Sequence, residues 1–119
     1  MARDAPSIDA YGGGGFRLSG AWHAGSLLIV ADQAQPWPVA ALSELTVDSL
    51  APVFAAGRAE VEFLLLGVGV RNAQPPRALR EALLAAGMGF EFMDTPAAAK
   101  LYNVLTSEGR RLALALIAV

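Results

Sequence analysis

The sequence predicts an α/β fold: a mixed sheet with helices packed on it, and an antiparallel β-ribbon at its N-terminal end. Three observations predict it. Phe63, Leu64, Leu65 and Leu66 form an unbroken apolar run, as expected of a strand buried on both faces rather than one. The run ends in Gly67-Val68-Gly69, and Pro75-Pro76 then opens a helical pattern, so strand, glycine turn and helix follow in the order of a βαβ unit. The chain as a whole reads as three short strands, an irregular stretch, and then αβαβαβ.

The elements follow in order. Residues 1–6 read as a loose leader. Residues 8–11 are a short strand candidate, and residues 12–15 are four glycines in a turn. Phe16 and Leu18 share one face of the next strand, and residues 25–30 form a third apolar strand. Gly12 to Gly15 do not fit a phosphate loop, which needs a helix, a lysine and a hydroxyl directly after it. Pro36-Trp37-Pro38 blocks helix and suits an edge strand or an extended crossover, with Trp37 as a lid on the core. Residues 45–56 carry Leu50, Val53 and Phe54 at helical spacing. Asp48 or Ser49 is the expected N-cap, Pro52 falls in the first turn, and Gly57 is the stop.

After the central strand, residues 75–86 form the clearest helix. Leu79, Leu83 and Ala86 lie on one face, and Gly87 ends it. Residues 89–92 are a strand with Phe90 and Phe92 facing one way. Asp94-Thr95-Pro96 starts the next helix with Thr95 as the expected cap, and Ala97, Leu101, Val104 and Leu105 as the expected buried stripe. Gly109 ends it. Residues 112–119 are the last strand.

Composition bounds the function. The 119 residues suit one domain covering 1–119. The hydrophobic share is 55% and the charged share 17%, so the apolar surplus belongs in the core, an interface or a sticky surface. A net charge of −2 without a basic cluster excludes nucleic-acid binding through phosphate neutralisation. The absence of cysteine removes disulfides, thiolate metal sites and thiol nucleophiles. No apolar run reaches membrane-spanning length, and the start lacks a signal-peptide core. The expected location is the cytoplasm, extending to the periphery of a membrane.

Few residues suggest chemistry. In Gly67-x-Gly69, Asn72 stands where a dinucleotide fingerprint needs its third glycine, and Glu91 stands at the acidic position but inside a strand. The glycines serve either a turn off a buried strand or the approach of a ligand to the backbone. His23 is the only histidine and has no second ligand for a metal; it reads as a partly buried strand or turn residue. No catalytic constellation, metal site or cofactor is expected. Thr95, Tyr102, Asn103, Glu108 and Arg111 form the more informative set. They are either a helix cap, a tyrosine anchor and a local ion pair, or a polar rim where Arg111 holds an anionic group.

Residues 64–69, the stretch Gly89-Phe90-Glu91-Phe92-Met93-Asp94-Thr95-Pro96-Ala97-Ala98, then Tyr102-Asn103-Val104-Leu105 and Glu108-Gly109-Arg110-Arg111 together resemble a widespread family of small proteins. Ile8-Asp9-Ala10-Tyr11 and Gly14-Gly15-Phe16 resemble its opening. It is a domain-of-unknown-function family that includes uncharacterised bacterial and archaeal proteins and a mitochondrial assembly factor of respiratory complex I. The resemblance implies a three-layer α/β domain with a central mixed sheet of about five strands. It carries over to Gly67, Gly69, Thr95, Ala98, Tyr102, Asn103, Glu108, Gly109 and Arg111, and it supplies no catalytic mechanism.

The expected function is therefore a non-enzymatic interaction or complex-assembly protein with protein partners, including those of a membrane-bound complex. The rival is a small-molecule binder or enzyme using the crevice at residues 67–72, with Thr95, Asn103 and Arg111 on its rim. Homodimerisation through the last strand or Trp37 is compatible with either.

Overall fold

The computed structural model describes residues 5–119; residues 1–4 of the expected leader lie outside them. Strands β1 (Ile8–Gly12), β2 (Gly15–Leu18) and β3 (Ala21–Ala24) form an antiparallel three-stranded sheet in that order. Then come β4 (Ser26–Val30) and β5 (Gln33–Trp37), 3₁₀ turns at Leu42–Glu44 and Asp48–Leu50, α1 (Ala51–Glu60), β6 (Phe63–Gly67), α2 (Arg77–Ala85), β7 (Gly89–Met93), α3 (Thr95–Ser107) and β8 (Leu112–Leu116). The main sheet runs β5-β4-β8-β6-β7. β6 is parallel to β7 and β8, and β4 is antiparallel to β5 and β8.

Chain handedness explains the layers. The step from β6 to β7 goes outward, whereas the step from β7 to β8 comes back past β6. Right-handed crossovers in opposite directions place α2 and α3 on opposite faces. One face buries Leu28, Leu64, Leu66, Ala113 and Ala115 against Leu50, Val53, Leu79 and Leu83. The other buries Leu27, Ile29, Leu65, Leu112 and Leu114 against α3 and against Ile8, Phe16 and Leu18 of the ribbon. The result is the expected mixed five-stranded sheet between two layers. All five residues of β8 are buried, as a strand covered on both faces requires. The described chain exposes 6082 Å², close to the roughly 6,100 Å² of a compact protein of its mass.

Several local expectations give way. The ribbon's third strand is residues 21–24, not 25–30; the latter belong to the main sheet, because their five consecutive buried side chains need cover on both faces. Gly13 and Gly14 both have positive φ, the geometry of a two-residue hairpin turn. β5 is an edge strand, and Trp37 is buried with its indole N–H donating to Ser49 O at 2.7 Å. β8 lies at the sheet's centre and Trp37 lies inside, so neither offers the free surface that homodimerisation through them was expected to use. His23 is exposed on β3, not partly buried.

The segment before α1 is 3₁₀ rather than α-helical. Thr46 Oγ1 accepts from Ser49 N and Ser49 Oγ accepts from Thr46 N. This reciprocal bonding closes the turn, so Asp48 and Ser49 are not caps of the longer helix. Gly57 breaks α1 with φ 70° and ψ 179°, so the helical geometry stops where the glycine was expected to stop it.

The largest correction concerns α3. Its cap is Asp94, whose carboxylate accepts from Ala97 N at 2.9 Å, while Thr95 is the first helical residue. Its buried residues are Thr95, Ala98, Ala99, Tyr102 and Thr106, whereas Leu101 and Leu105 are half-buried and Val104 is 53% exposed. Apart from Tyr102, the side chains that face the sheet are small, which allows the closest approach of helix to sheet. The larger aliphatics sit at the flank. Two substitutions separate the two faces. Ala98→Leu is expected to destabilise by about 1–3 kcal/mol through overpacking, and Val104→Glu to stay within about 0.5 kcal/mol. Urea unfolding of both variants measures the difference.

Candidate functional site

Gly67 ends β6 under the first turn of α3. A Cβ there would lie 2.6 Å from Leu116 Cδ2 and 3.0 Å from Thr95 Cα and Oγ1. Gly69 has φ +112° with open space around it, so it is glycine for its backbone conformation. Thr95 closes the junction. Its N–H donates to Gly69 O at 2.8 Å. Its hydroxyl accepts from Gly69 N at 3.0 Å and donates to Ile117 O at 2.8 Å. Folds of this kind bind ligands where neighbouring crossovers part to opposite faces. Here the gap between the exits of β6 and β7 is bridged by these bonds. The N-terminus of α3 also has its own anion, the carboxylate of Asp94.

The eight predicted site residues fall into separate places. Gly67, Gly69 and Thr95 meet at the carboxyl end of β6, and Asn72 is exposed on the loop that follows. Tyr102 is fully buried between α3 and the sheet. Asn103 joins α3 to the ribbon: its Oδ1 accepts from Ile8 N at 2.9 Å and its Nδ2 donates to Ile8 O at 2.8 Å. The amide thus imitates a strand neighbour for β1. Glu108 is exposed at the C-cap of α3.

Arg111 lies at the opposite end of the sheet. Glu62 N donates to Arg111 O at 2.8 Å, and the Glu62 carboxylate meets Arg110 at 3.0 Å and Arg111 at 3.6 Å. The ion pair forms with Glu62 rather than with nearby Glu108, because the parallel register of β6 and β8 brings Glu62 alongside. From Glu62 to Gly69 the chain advances on the order of 20 Å at strand rise. A rim containing both Gly69 and Arg111 therefore does not form, and the expected crevice has no Arg111 at its edge. The side chains of the Glu62 pairs are 37–51% exposed, so each contributes at most about 1 kcal/mol after solvent screening.

The open cleft lies at the carboxyl end of β6, on the side facing β8. It holds about 400 Å³ between residues 40–42, the loop of residues 68–73, and Ile117 with Ala118. Leu42, Val68, Val70 and Ile117 supply apolar wall, and Arg71 is its charged lining residue. Val70 is 75% exposed. Among the described residues, no ion pair or hydrogen bond engages the Arg71 side chain, which is free to meet an anion. The sequence pattern marked the strand end but not this wall, since residues 40–42 are remote in sequence and carry no motif. Among the described residues, no cluster of three His, Cys, Asp or Glu could hold a metal, and no helix is long and apolar enough to cross a membrane.

Comparison with known proteins adds the following. The family described as protein of unknown function (DUF498/DUF598) matches residues 8–117. An uncharacterized protein of Rhodobacter capsulatus is 44% identical over 92% of this chain and 82% of its own length. The NADH dehydrogenase (ubiquinone) 1 alpha subcomplex assembly factor 3 of Danio rerio is 33% identical over 92% of this chain, and that of Homo sapiens is 29% identical over 98%. This chain spans 63% and 62% of those two proteins. A Bartonella henselae protein described as an outer membrane protein superposes with a TM-score of 0.91 at 31% identity, covering 100% of this chain and 99% of that one. A Rhodopseudomonas palustris protein superposes with 0.82 at 40% identity, covering 95% and 83%.

Two variants test the structural assignment of the predicted residues. Thr95→Val keeps the shape but leaves Gly69 N–H and Ile117 C=O without their hydroxyl partner, with an expected loss of about 1–3 kcal/mol. Arg111→Ala is expected to cost about 1 kcal/mol or less. Chemical denaturation of the two proteins side by side reads the contrast.

Proposed function

We propose that this chain, which belongs to the DUF498/DUF598 family of unknown function, acts as an assembly-type interaction protein that holds a segment of a protein partner in the cleft beside the β6 exit loop. It does so as one domain, without catalysis, from the cytoplasm or the periphery of a membrane. The observation that carries the reading is the cleft's chemistry: apolar walls, an exposed Val70, and Arg71 as the charged lining residue. A metabolite site normally adds several convergent polar groups to its apolar lining. A wall of alanine, valine, leucine and isoleucine with one guanidinium suits an apolar peptide segment carrying an acidic group. The likeness to complex I assembly factors supports a protein partner, including one from a membrane-bound complex. A small amphipathic carboxylate is the alternative occupant, which a cleft of about 400 Å³ has room for.

The test is affinity capture from detergent-solubilised cells with wild type, Arg71→Glu and Arg111→Ala. A partner retained by wild type and by Arg111→Ala, but reduced at least about tenfold by Arg71→Glu, supports the reading; that is the loss of one interface anchor worth about 1.4 kcal/mol. An unchanged partner set in Arg71→Glu overturns it. A thermal shift with aliphatic carboxylates that Arg71→Glu removes would assign the cleft to the small ligand instead.

A further inference from the structure

The main sheet has two edges, and they are not alike. At β5, Pro36 lies opposite Leu27; an edge proline offers an incoming strand no amide donor. At β7 there is no proline, no lysine and no bulge, and the register with β6 is continuous from Gly89 to Met93. Met93 O accepts from Val68 N at 2.9 Å. By the two-residue repeat of a parallel ladder, the main-chain groups of Gly89, Glu91 and Met93 face β6, and those of Phe90 and Phe92 face outward. β7 thus offers two N–H and two C=O groups in a row. No other described strand pairs with them.

The side chains flanking this edge differ by face. On the α2 side, Phe90 and Phe92 stack with centroids 6.3 Å apart, and both are half-buried. Leu84, 78% exposed, stands beside them. A hollow of about 290 Å³ runs between α2 and Phe90. On the opposite face the central residue is Glu91, exposed, which lines a second hollow of about 310 Å³ together with Arg110, itself paired with Glu62. We propose that β7 is a strand-addition site for an extended segment of another protein. That segment carries a lysine or arginine opposite Glu91, with apolar residues on either side of it to cover Phe90, Phe92 and Leu84. Main-chain bonds would give affinity and the alternating side chains specificity.

Charge selects the occupant. A second copy pairing antiparallel in full register, Phe90 opposite Phe92, would set Glu91 directly against its own counterpart, and like charges in that position repel. This site is separate from the Arg71 cleft and does not depend on it.

The experiment uses the intact protein and labelled heptapeptides of alternating valine and threonine, one with a central lysine and one with a central glutamate, read by fluorescence anisotropy. The lysine peptide is expected to bind about tenfold more tightly. Glu91→Lys, with an unchanged thermal midpoint, is expected to invert the order. N-methylation of the peptide amides that face β7 is expected to abolish binding, and Arg71→Glu to leave it unchanged. The proposal is overturned if neither peptide binds at millimolar concentration, if Glu91→Lys leaves the order intact, if Arg71→Glu removes binding, or if sedimentation shows a self-dimer that Phe90→Pro dissolves.

Discussion

A single buried hydroxyl ties three elements of this protein together. Thr95 Oγ1 donates to Ile117 at the end of β8 and accepts from Gly69 beyond β6, while its own main chain begins α3. A buried hydroxyl is stabilising only when its bonding capacity is met, and here one donor and one acceptor site are both used. The bond geometry requires the helix start to sit against the strand end, and that closeness requires Gly67 to have no side chain. The two glycines, the threonine and the aspartate cap act as one unit whose product is position. With the helix start held there, α3 lies flat across β6 and β8, and its alanines meet the sheet.

That unit also decides where binding can occur. In open α/β sheets the diverging crossovers usually leave room for a ligand at the strand ends. Thr95 uses that room for intramolecular bonds. The remaining opening moves to the flank of β6 facing residues 40–42 and the end of β8. The glycine signature after a buried strand is thus consistent with architecture alone, and the residues that line the open cleft, Val70 and Arg71, lie just downstream.

The sequence displayed what is periodic or local. The buried run at residues 63–66, the alternating faces of β7, the edge character of Pro36 and the stop at Gly57 all follow from single residues or short spacings. It concealed what depends on distant partners. Asn103 looked like a free polar residue because its partner, Ile8, is 95 positions away. Arg110 and Arg111 looked like partners of Glu108 because Glu62 is 48 positions from Arg110. The α3 stripe misled for a different reason: hydrophobicity ranks Leu101, Val104 and Leu105 above Ala98 and Ala99, whereas close approach to a sheet ranks them the other way. The Arg71 cleft was not legible at all, since its walls come from three segments with no shared pattern.

The position of β8 has a consequence for biosynthesis. It is made after the other four strands of the main sheet, yet it lies at the centre, between β4 and β6. The β4–β5 hairpin and the β6–α2–β7 unit each form from neighbouring sequence, but on the ribosome they have no common strand to join them. Until residues 112–116 emerge, the inner edges of β4 and β6 stay open, with their leucines uncovered. Late closure of long-range pairing slows folding and leaves apolar edges available to other chains. While residues 26–111 are being made the main sheet therefore exists as two halves, and residues 112–116 join them.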